Sequence, residues 1–168
     1  DHMGVLIGEN EAYLSNNNSN VKEDIEFFMT DVTLVDTLAE VDSPITKISI
    51  YFPDKTSLQA YNDFYKKDFD KDYSVTIGGI DWVDVMPMSV SKGRAIKHLQ
   101  DEFNIDKSET LVVADNYNDL SMMEEAEFSF AVASANDDIR AAAKYIGPSN
   151  NDGAVVKIMQ AVLKAYEL

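Results

Sequence analysis

The sequence contains no cysteine and few basic residues. Without cysteine, the chain forms no disulfide, has no thiolate nucleophile and binds no zinc through sulfur. This composition fits the reducing cytoplasm, where we expect the protein to reside. Lysine and arginine total 14 against 30 aspartates and glutamates, which gives a net charge of −16. Because so acidic a surface repels nucleic acid backbones and anionic membranes, we expect neither as a partner.

Long apolar runs and targeting signals are also missing. No apolar run approaches the roughly 20 residues of a membrane-spanning helix. The first three residues, Asp1-His2-Met3, have neither the basic nor the apolar region of a signal peptide, and we interpret them as a cloning scar before Gly4. Hydrophobic residues nevertheless make up 45% of the 168 residues, enough for the core of one domain or of one and a half small ones.

The first 86 residues predict a small α+β unit. Ser19 or Asn20 is expected to cap a helix that starts near Val21, with Ile25 and Phe28 on its buried face. The predicted elements in order are an apolar opening (5–14), a polar loop (16–20), this helix, a strand (46–52), a helix (54–67) and a hairpin of two strands (73–77 and 82–86).

The pattern changes at residues 87–90, where we place a domain boundary. Beyond it, helices alternate with short apolar strands, which indicates a parallel sheet with crossover helices. We expect Leu99 and Phe103 in the first of these helices, and Val155 and Met159 in the last, to face inward. The predicted elements are a helix (91–103), a strand (111–114), a helix (118–126), a strand (128–133), a helix capped by Asn136 that reaches Lys144, and a helix (153–166).

Oxygen-bearing side chains follow the strand at 111–114. In parallel α/β sheets, ligands bind beyond the carboxyl ends of the strands, so Asp115, Asn118 and Asp119 occupy a favourable place. Clustered oxygen ligands suit Mg²⁺. The alternative is that Asn118 or Asp119 caps the next helix, and for Asp119 both interpretations stay open. For Asp115, at the tip of a buried strand, we favour a functional role.

Lys92 falls in the first turn of a predicted helix, behind Ser91 as the expected cap. A cation there opposes the helix dipole, and the arrangement makes more sense if an anion binds at that terminus. Gly93 would let such an anion approach the backbone. The competing interpretation is a solvated surface lysine.

Four stretches, taken in order, resemble the Cof-type subfamily of haloacid dehalogenase-like phosphatases. They are SVSKG (89–93), VVADNYND (112–119), AVASAND (131–137) and SNNDG (149–153). Residues 87–168 look like the C-terminal part of that family's Rossmann-like parallel-sheet core. Residues 4–86 look like its α+β cap domain, in which KISIYF (47–52) is the most recognisable strand.

The resemblance implies a role for each matching residue. Lys92 matches the lysine that neutralises the nucleophile and the substrate phosphate, and Asp115 matches the acidic Mg²⁺ ligand. Asn118 matches a residue that contacts the substrate phosphate, and Asp119 a carboxylate that orients the lysine or a metal-bound water. Ala114 stands where the family usually has glycine. The implied activity is Mg²⁺-dependent hydrolysis of small phosphomonoesters, such as sugar phosphates, through an aspartyl-phosphate.

The family's nucleophilic aspartate, which follows a buried N-terminal strand in a DxDxT-like motif, has no convincing match. Asp68-Phe69-Asp70 follows a charged stretch rather than an apolar strand, and Asp72 stands where Thr or Val is expected. We interpret this match to the motif as fortuitous. The chain is therefore predicted to be a fragment, inactive alone, whose apolar strand at 111–114 is left as an exposed edge open to self-association.

Two other classes of protein compete with this interpretation. One is a non-catalytic fragment or binding module that needs the missing N-terminal segment. The other is a receiver domain of two-component signalling, which we disfavour because its lysine follows the acidic residues, whereas Lys92 precedes Asp115. Trp82 is expected to pack within its hairpin rather than to contact substrate, and His98 to lie on the surface.

Overall fold

The computed structural model describes residues 2–29 and 31–166. The chain divides into two compact units, an N-terminal unit that ends at Met88 and a C-terminal unit that begins at Ser89. No helix within the described ranges is long and apolar enough to cross a membrane.

The N-terminal unit is built on a six-stranded sheet with the strand order β3-β2-β1-β4-β6-β5. Neighbouring strands run antiparallel, except β2 and β3, which are parallel. Its strands are β1 (Met3–Gly8), β2 (Ala12–Ser15), β3 (Val32–Val35), β4 (Ile45–Tyr51), β5 (Tyr73–Gly79) and β6 (Trp82–Pro87). Its helices are α1 (Lys22–Glu26), α2 (Ser57–Ala60) and α3 (Lys66–Phe69), the last two joined by a π-helical stretch (Tyr61–Tyr65).

Two apolar clusters cover the two faces of this sheet, because successive residues of a strand point to opposite faces. On one face, Val5 and Leu14 pack with Ile25 of α1, and all three are fully buried. On the other face, Ile50 and Val83 pack with Tyr65 from the helical stretch between α2 and α3. The N-terminal unit thus has a core on each side of its sheet.

The C-terminal unit is built on three parallel strands in the order β7-β8-β9. Its strands are β7 (Leu111–Ala114), β8 (Phe128–Val132) and β9 (Tyr145–Gly147). Its helices are α4 (Lys92–Phe103), α5 (Leu120–Glu124), α6 (Asp137–Ala142) and α7 (Ala154–Ala165). Strands therefore alternate with helices, and the predicted fold class, an α/β parallel-sheet unit preceded by an α+β unit, is confirmed.

The core of the C-terminal unit lies between the sheet and the helices that follow β7 and β8. Ala131 and Ile139 are fully buried there, and Val112, Ala114 and Met123 are at most 6% exposed. The β7 residues that face this core fix the point, at Ala114, at which the chain leaves the strand. Within the described residues, β7 has no strand on its outer side.

Several predicted elements were missed or misplaced. The apolar opening and the stretches around β3 and β9 were not recognised as strands, because pairing with neighbouring strands, rather than a local sequence pattern, makes them strands. Neither Ser19 nor Asn20 caps α1: the N-cap is Val21, which makes no side-chain cap hydrogen bond, because the polar tract before it forms a 3₁₀ helix. Phe28 is 53% exposed rather than buried, and its ring rests edge-on against Trp82.

The predicted inward faces of α4 and α7 were partly wrong. Leu99 and Phe103 of α4 are 48% and 66% exposed, and Val155 and Met159 of α7 are 51% and 57% exposed. Ile158 of α7 is buried. These apolar residues are exposed because the sheet of the C-terminal unit has only three strands, too few to cover both helices.

A core substitution tests this packing. Ile139→Ala is expected to lower the free energy of unfolding by about 2–5 kcal/mol, because it leaves a cavity in a fully buried site. The matched control is Ile146→Ala, since Ile146 is 53% exposed and its truncation should cost about 0.5 kcal/mol or less. Urea unfolding followed by circular dichroism measures both, and equal losses would contradict the core described here.

Candidate functional site

The backbone of the loop after β7 donates hydrogen bonds to the carboxylate of Asp119. Its Oδ2 accepts hydrogen bonds from the backbone N–H groups of Asp115 at 2.9 Å and of Asn116 at 3.2 Å. The side chain of Asn116 in turn accepts the N–H of Tyr117 at 2.8 Å, and Asn116 and Asp119 form a reciprocal capping box around the 3₁₀ turn Tyr117–Asp119. The loop backbone is therefore held by its own side chains.

The second oxygen of Asp119 binds Lys92. Oδ1 accepts from the Lys92 ammonium, and the Asp119 side chain is only 4% exposed, whereas that of Lys92 is 50% exposed. A carboxylate so buried needs charged or N–H partners to offset its lost hydration, and here it has three. Asp119 occupies the N-cap position of α5 but makes no side-chain cap hydrogen bond to it, so the interpretation as a helix cap was wrong, and its functional role stays a prediction.

Helix α4 presents Lys92 through a close contact with α5. Ser91 caps the helix by accepting the N–H of Arg94 at 3.2 Å, as predicted. The expected role of Gly93 was wrong: its N–H already donates to Ser121 Oγ at 3.0 Å. A Cβ at position 93 would lie 2.3 Å from the Ser121 carbonyl oxygen, so glycine is needed for helix packing rather than for anion approach.

Asp115 lies at the exposed tip of β7, where the sequence placed it. Its Oδ2 accepts a hydrogen bond from the side-chain amide of Asn150 at 3.1 Å. Asn118 is half-buried within the adjoining 3₁₀ turn. The structure therefore links three of the predicted residues, Lys92, Asp115 and Asp119, through one carboxylate, with Asn118 next to it in the chain.

The structure also reveals residues that the sequence interpretation missed. Asn150 contacts this loop and Ser121 contacts the helix that presents Lys92, whereas Tyr117 belongs to the loop and contacts α6. The hydroxyl of Tyr117 donates to Asp138 at 2.9 Å, and this hydrogen bond raises the pKa of Tyr117. Asn150 and Tyr117 left a signal, since they belong to the SNNDG and VVADNYND stretches that carried the family resemblance, whereas Ser121 left none.

The oxygen ligands present fit a magnesium ion only in part. Within the described ranges, no group of three or more His, Cys, Asp or Glu residues could hold a metal. Mg²⁺ is commonly held by one or two carboxylates together with waters and substrate phosphates, so a single exposed aspartate at a strand end is compatible with it. Of the two aspartates in this loop, Asp115 is the candidate ligand, because both carboxylate oxygens of Asp119 already accept hydrogen bonds from Lys92 and the backbone.

The remaining candidates lie away from this loop in the chain. Asp68 and Asp70 are exposed at the end of α3, before β5, as expected of a fortuitous match. Trp82 is 8% exposed and packs against Tyr51, with ring centroids 4.8 Å apart. His98 is exposed on α4, as predicted.

Ligands of parallel α/β proteins bind beyond the carboxyl ends of the strands, and the acidic loop and its lysine lie at such an end in this α/β unit. The family model described as haloacid dehalogenase-like hydrolase matches residues 2–159, and the chain belongs to this family. The resemblance to its Cof-type phosphatases is confirmed by the relatives that the chain matches.

Those relatives include phosphatases and solved structures of the same fold. The 5-amino-6-(5-phospho-D-ribitylamino)uracil phosphatase YbjI of Escherichia coli is 30% identical over 161 residues, which cover 95% of this chain and 59% of the relative. The structure of SMU.1108c from Streptococcus mutans superposes with a TM-score of 0.87 at 22% identity, over 98% of this chain and 62% of that one. The structure of the subclass IIB sugar phosphatase BT4131 superposes with a TM-score of 0.75 at 18% identity. The superposition covers 96% of this chain and 60% of that one. The chain thus spans about three-fifths of the length of these relatives.

Removing the Asp119 carboxylate should loosen the loop. Asp119→Ala leaves two backbone N–H groups and the Lys92 ammonium without their partner, so we expect a loss of about 2–3 kcal/mol in unfolding free energy. Asp115→Ala is the matched control, since its exposed carboxylate accepts one amide and its loss should cost about 0.5 kcal/mol or less. Similar values for the two variants in urea unfolding would contradict the role given to Asp119.

Adding a methyl group at position 93 tests the contact between α4 and α5. Gly93→Ala is expected to destabilise the protein by about 1–3 kcal/mol, because the new Cβ meets the Ser121 backbone. Gly79→Ala serves as the control, since a Cβ there meets no atom within 4 Å. A gain in thermal stability for Gly93→Ala, which helix propensity alone would give, would show that the helices are not in close contact.

Proposed function

We propose that the loop after β7 and Lys92 form part of the active site of a Mg²⁺-dependent phosphatase. In the intact protein it hydrolyses small phosphomonoesters, such as sugar phosphates, through an aspartyl-phosphate. The observation that carries this proposal is the buried Asp119 carboxylate, which binds both Lys92 and the backbone of the Asp115 loop. A lysine and a metal-binding carboxylate held together in this way suit a phosphoryl group.

Each residue has a distinct part in this proposal. The half-exposed ammonium of Lys92 neutralises the phosphate and the nucleophile, and Asp119 keeps it in place. Asp115 holds Mg²⁺ and Asn118 contacts the phosphate. The metal, when bound, offsets the negative charge that develops on the transferred phosphoryl group. Because the protein carries a net charge of −16, these local positive charges are needed for any anionic substrate to bind.

The nucleophile lies outside this chain in our proposal. Asp68 and Asp70, the match to its motif, are exposed at the end of a short helix rather than at the tip of a buried strand. The greater length of the relatives leaves room for a segment that supplies it. We therefore propose that the 168 residues alone are inactive, as a cap domain followed by the C-terminal part of the core.

The N-terminal unit, in this account, selects the organic part of the substrate as a cap does. The E. coli relative is named for a phosphorylated ribityl compound, and BT4131 is a sugar phosphatase. Both names support a phosphorylated, sugar-like metabolite as the substrate class. We place the reaction in the cytoplasm, consistent with a chain that has no cysteine.

A binding module is the second candidate, and the outer edge of β7 favours it. On one face of the sheet, an apolar groove of about 950 Å³ lies between the strands and α7, lined by Leu111, Phe130 and Ile158 among others. An extended apolar segment would complete the sheet and cover the groove. The missing N-terminal segment is the occupant we propose, and self-association through the same edge is the competing one.

An assay of aryl phosphate hydrolysis tests the proposal. This chain alone should show no turnover with Mg²⁺, whereas its fusion to the segment of the E. coli relative outside the matched region should show Mg²⁺-dependent turnover. In the fusion, Asp115→Ala and Lys92→Ala should each lower turnover at least about 100-fold, since each removes charge that stabilises the transition state. Lys97→Ala is the matched control, because Lys97 is exposed on the same helix and pairs with Asp101.

Each outcome of this assay has a distinct meaning. Asp115-dependent turnover by the chain alone would place a nucleophile within these residues and revive Asp68 and Asp70. A fusion as active with Asp115→Ala as without it would remove Asp115 from the site. A fusion that assembles yet hydrolyses nothing would favour the binding module.

A further inference from the structure

The side chain of Asn150 reaches the candidate metal-binding carboxylate from a separate loop. Its amide donates to Asp115 Oδ2 at 3.1 Å, across 35 positions of sequence. Asn150 follows β9, whereas Asp115 follows β7. Because β7, β8 and β9 are parallel, their carboxyl ends share one edge of the sheet, which brings the two loops together.

The Asn150 backbone is fixed independently of this contact. Asn150 opens a 3₁₀ turn (Asn150–Asp152), and its N–H donates to Ser134 Oγ at 3.3 Å. Its carbonyl accepts the N–H of Gly153 at 3.2 Å, where Gly153 takes the left-handed conformation that ends the turn. The amide thus projects from an ordered turn, so its contact with Asp115 carries less entropic cost than one made by a mobile loop.

The choice of an amide has an electrostatic consequence. An ammonium or guanidinium group beside Asp115 would orient the carboxylate but also neutralise it and compete with a cation. An amide orients the carboxylate and leaves its full negative charge. Asp119 shows the contrast, since it is paired with Lys92 and so offers a cation little.

We propose that Asn150 is a positioning residue for the metal site. It holds Oδ2 of Asp115 so that Oδ1, to which no described residue donates a hydrogen bond, faces a divalent cation. Carboxylates that bind metals are themselves hydrogen-bonded, and removing such a partner commonly weakens metal binding 10–100-fold. This inference rests on the proposed function, because it needs Asp115 to be a metal ligand.

Binding of Mn²⁺ to the full 168-residue chain tests it, with free Mn²⁺ measured by electron paramagnetic resonance. Asp115→Ala defines the binding that depends on this site. We expect Asn150→Ala to raise the Kd of that binding about 10–100-fold. Asn150→Gln, which keeps an amide donor on a longer side chain, should recover part of the loss. Asn151→Ala is the matched control in the same turn and should bind as the wild type does.

The thermal midpoint of each metal-free variant separates positioning from folding. An unchanged midpoint with weakened Mn²⁺ binding in Asn150→Ala supports the proposal. Wild-type affinity in Asn150→Ala would overturn it while leaving Asp115 as the ligand. If Asn150→Ala unfolds, wild-type affinity in the folded Asn150→Gln supports the amide's role, and affinity as low as that of Asp115→Ala overturns it. Binding by the wild type that Asp115→Ala does not weaken would sink both this inference and the metal site of the proposed function.

Discussion

The carboxylate of Asp119 is the interaction on which the site depends. It is nearly inaccessible to water, and it bonds at once to the Lys92 ammonium and to the N–H groups of Asp115 and Asn116. The lysine comes from the start of α4 and the N–H groups from the end of β7. One buried charge therefore connects a helix terminus to a strand end, and neither could shift without leaving a buried polar group unpaired.

The surroundings of this carboxylate explain otherwise separate features of the C-terminal unit. Gly93 is required because α4 must approach Ser121 closely, and this approach brings Lys92 to Asp119. Ala114 is buried at the end of β7, so the loop leaves the sheet from a fixed point. Asp115 remains exposed just beyond it, free to meet a ligand. The unit thus buries Asp119, which holds the loop, and leaves Asp115 exposed to solvent.

Local sequence signals predicted those parts of the fold that local interactions decide. The strand Leu111–Ala114 was predicted at its observed bounds, and Ser91 and Asn136 cap their helices as expected, because an apolar run and a capping side chain act within a few residues. The strands β1, β2, β3 and β9 were missed, since their pairing partners, not their own pattern, make them strands. Leu99 and Met159 were expected to be buried, but helical periodicity cannot tell which apolar residues a small sheet is able to cover.

The sequence named four candidate site residues but not the contacts that connect them. Asp115, Asn118, Asp119 and Lys92 were named from a strand end, a helix start and a family resemblance. The contact between Asn150 and Asp115 spans 35 positions and depends on the order of three strands, which no local pattern contains. The role expected for Gly93 failed for the same reason, because Ser121 lies 28 positions away.

We propose that the C-terminal unit carries a site for a divalent cation and a phosphate, organised by Asp119. The most direct measurement is a ¹⁵N NMR titration of this chain with Mg²⁺ and then with inorganic phosphate. We expect saturable shifts confined to Lys92, the Asp115–Asp119 loop and the turn at Asn150. Shifts spread over the acidic surface, or no saturable shift in that loop, would contradict it.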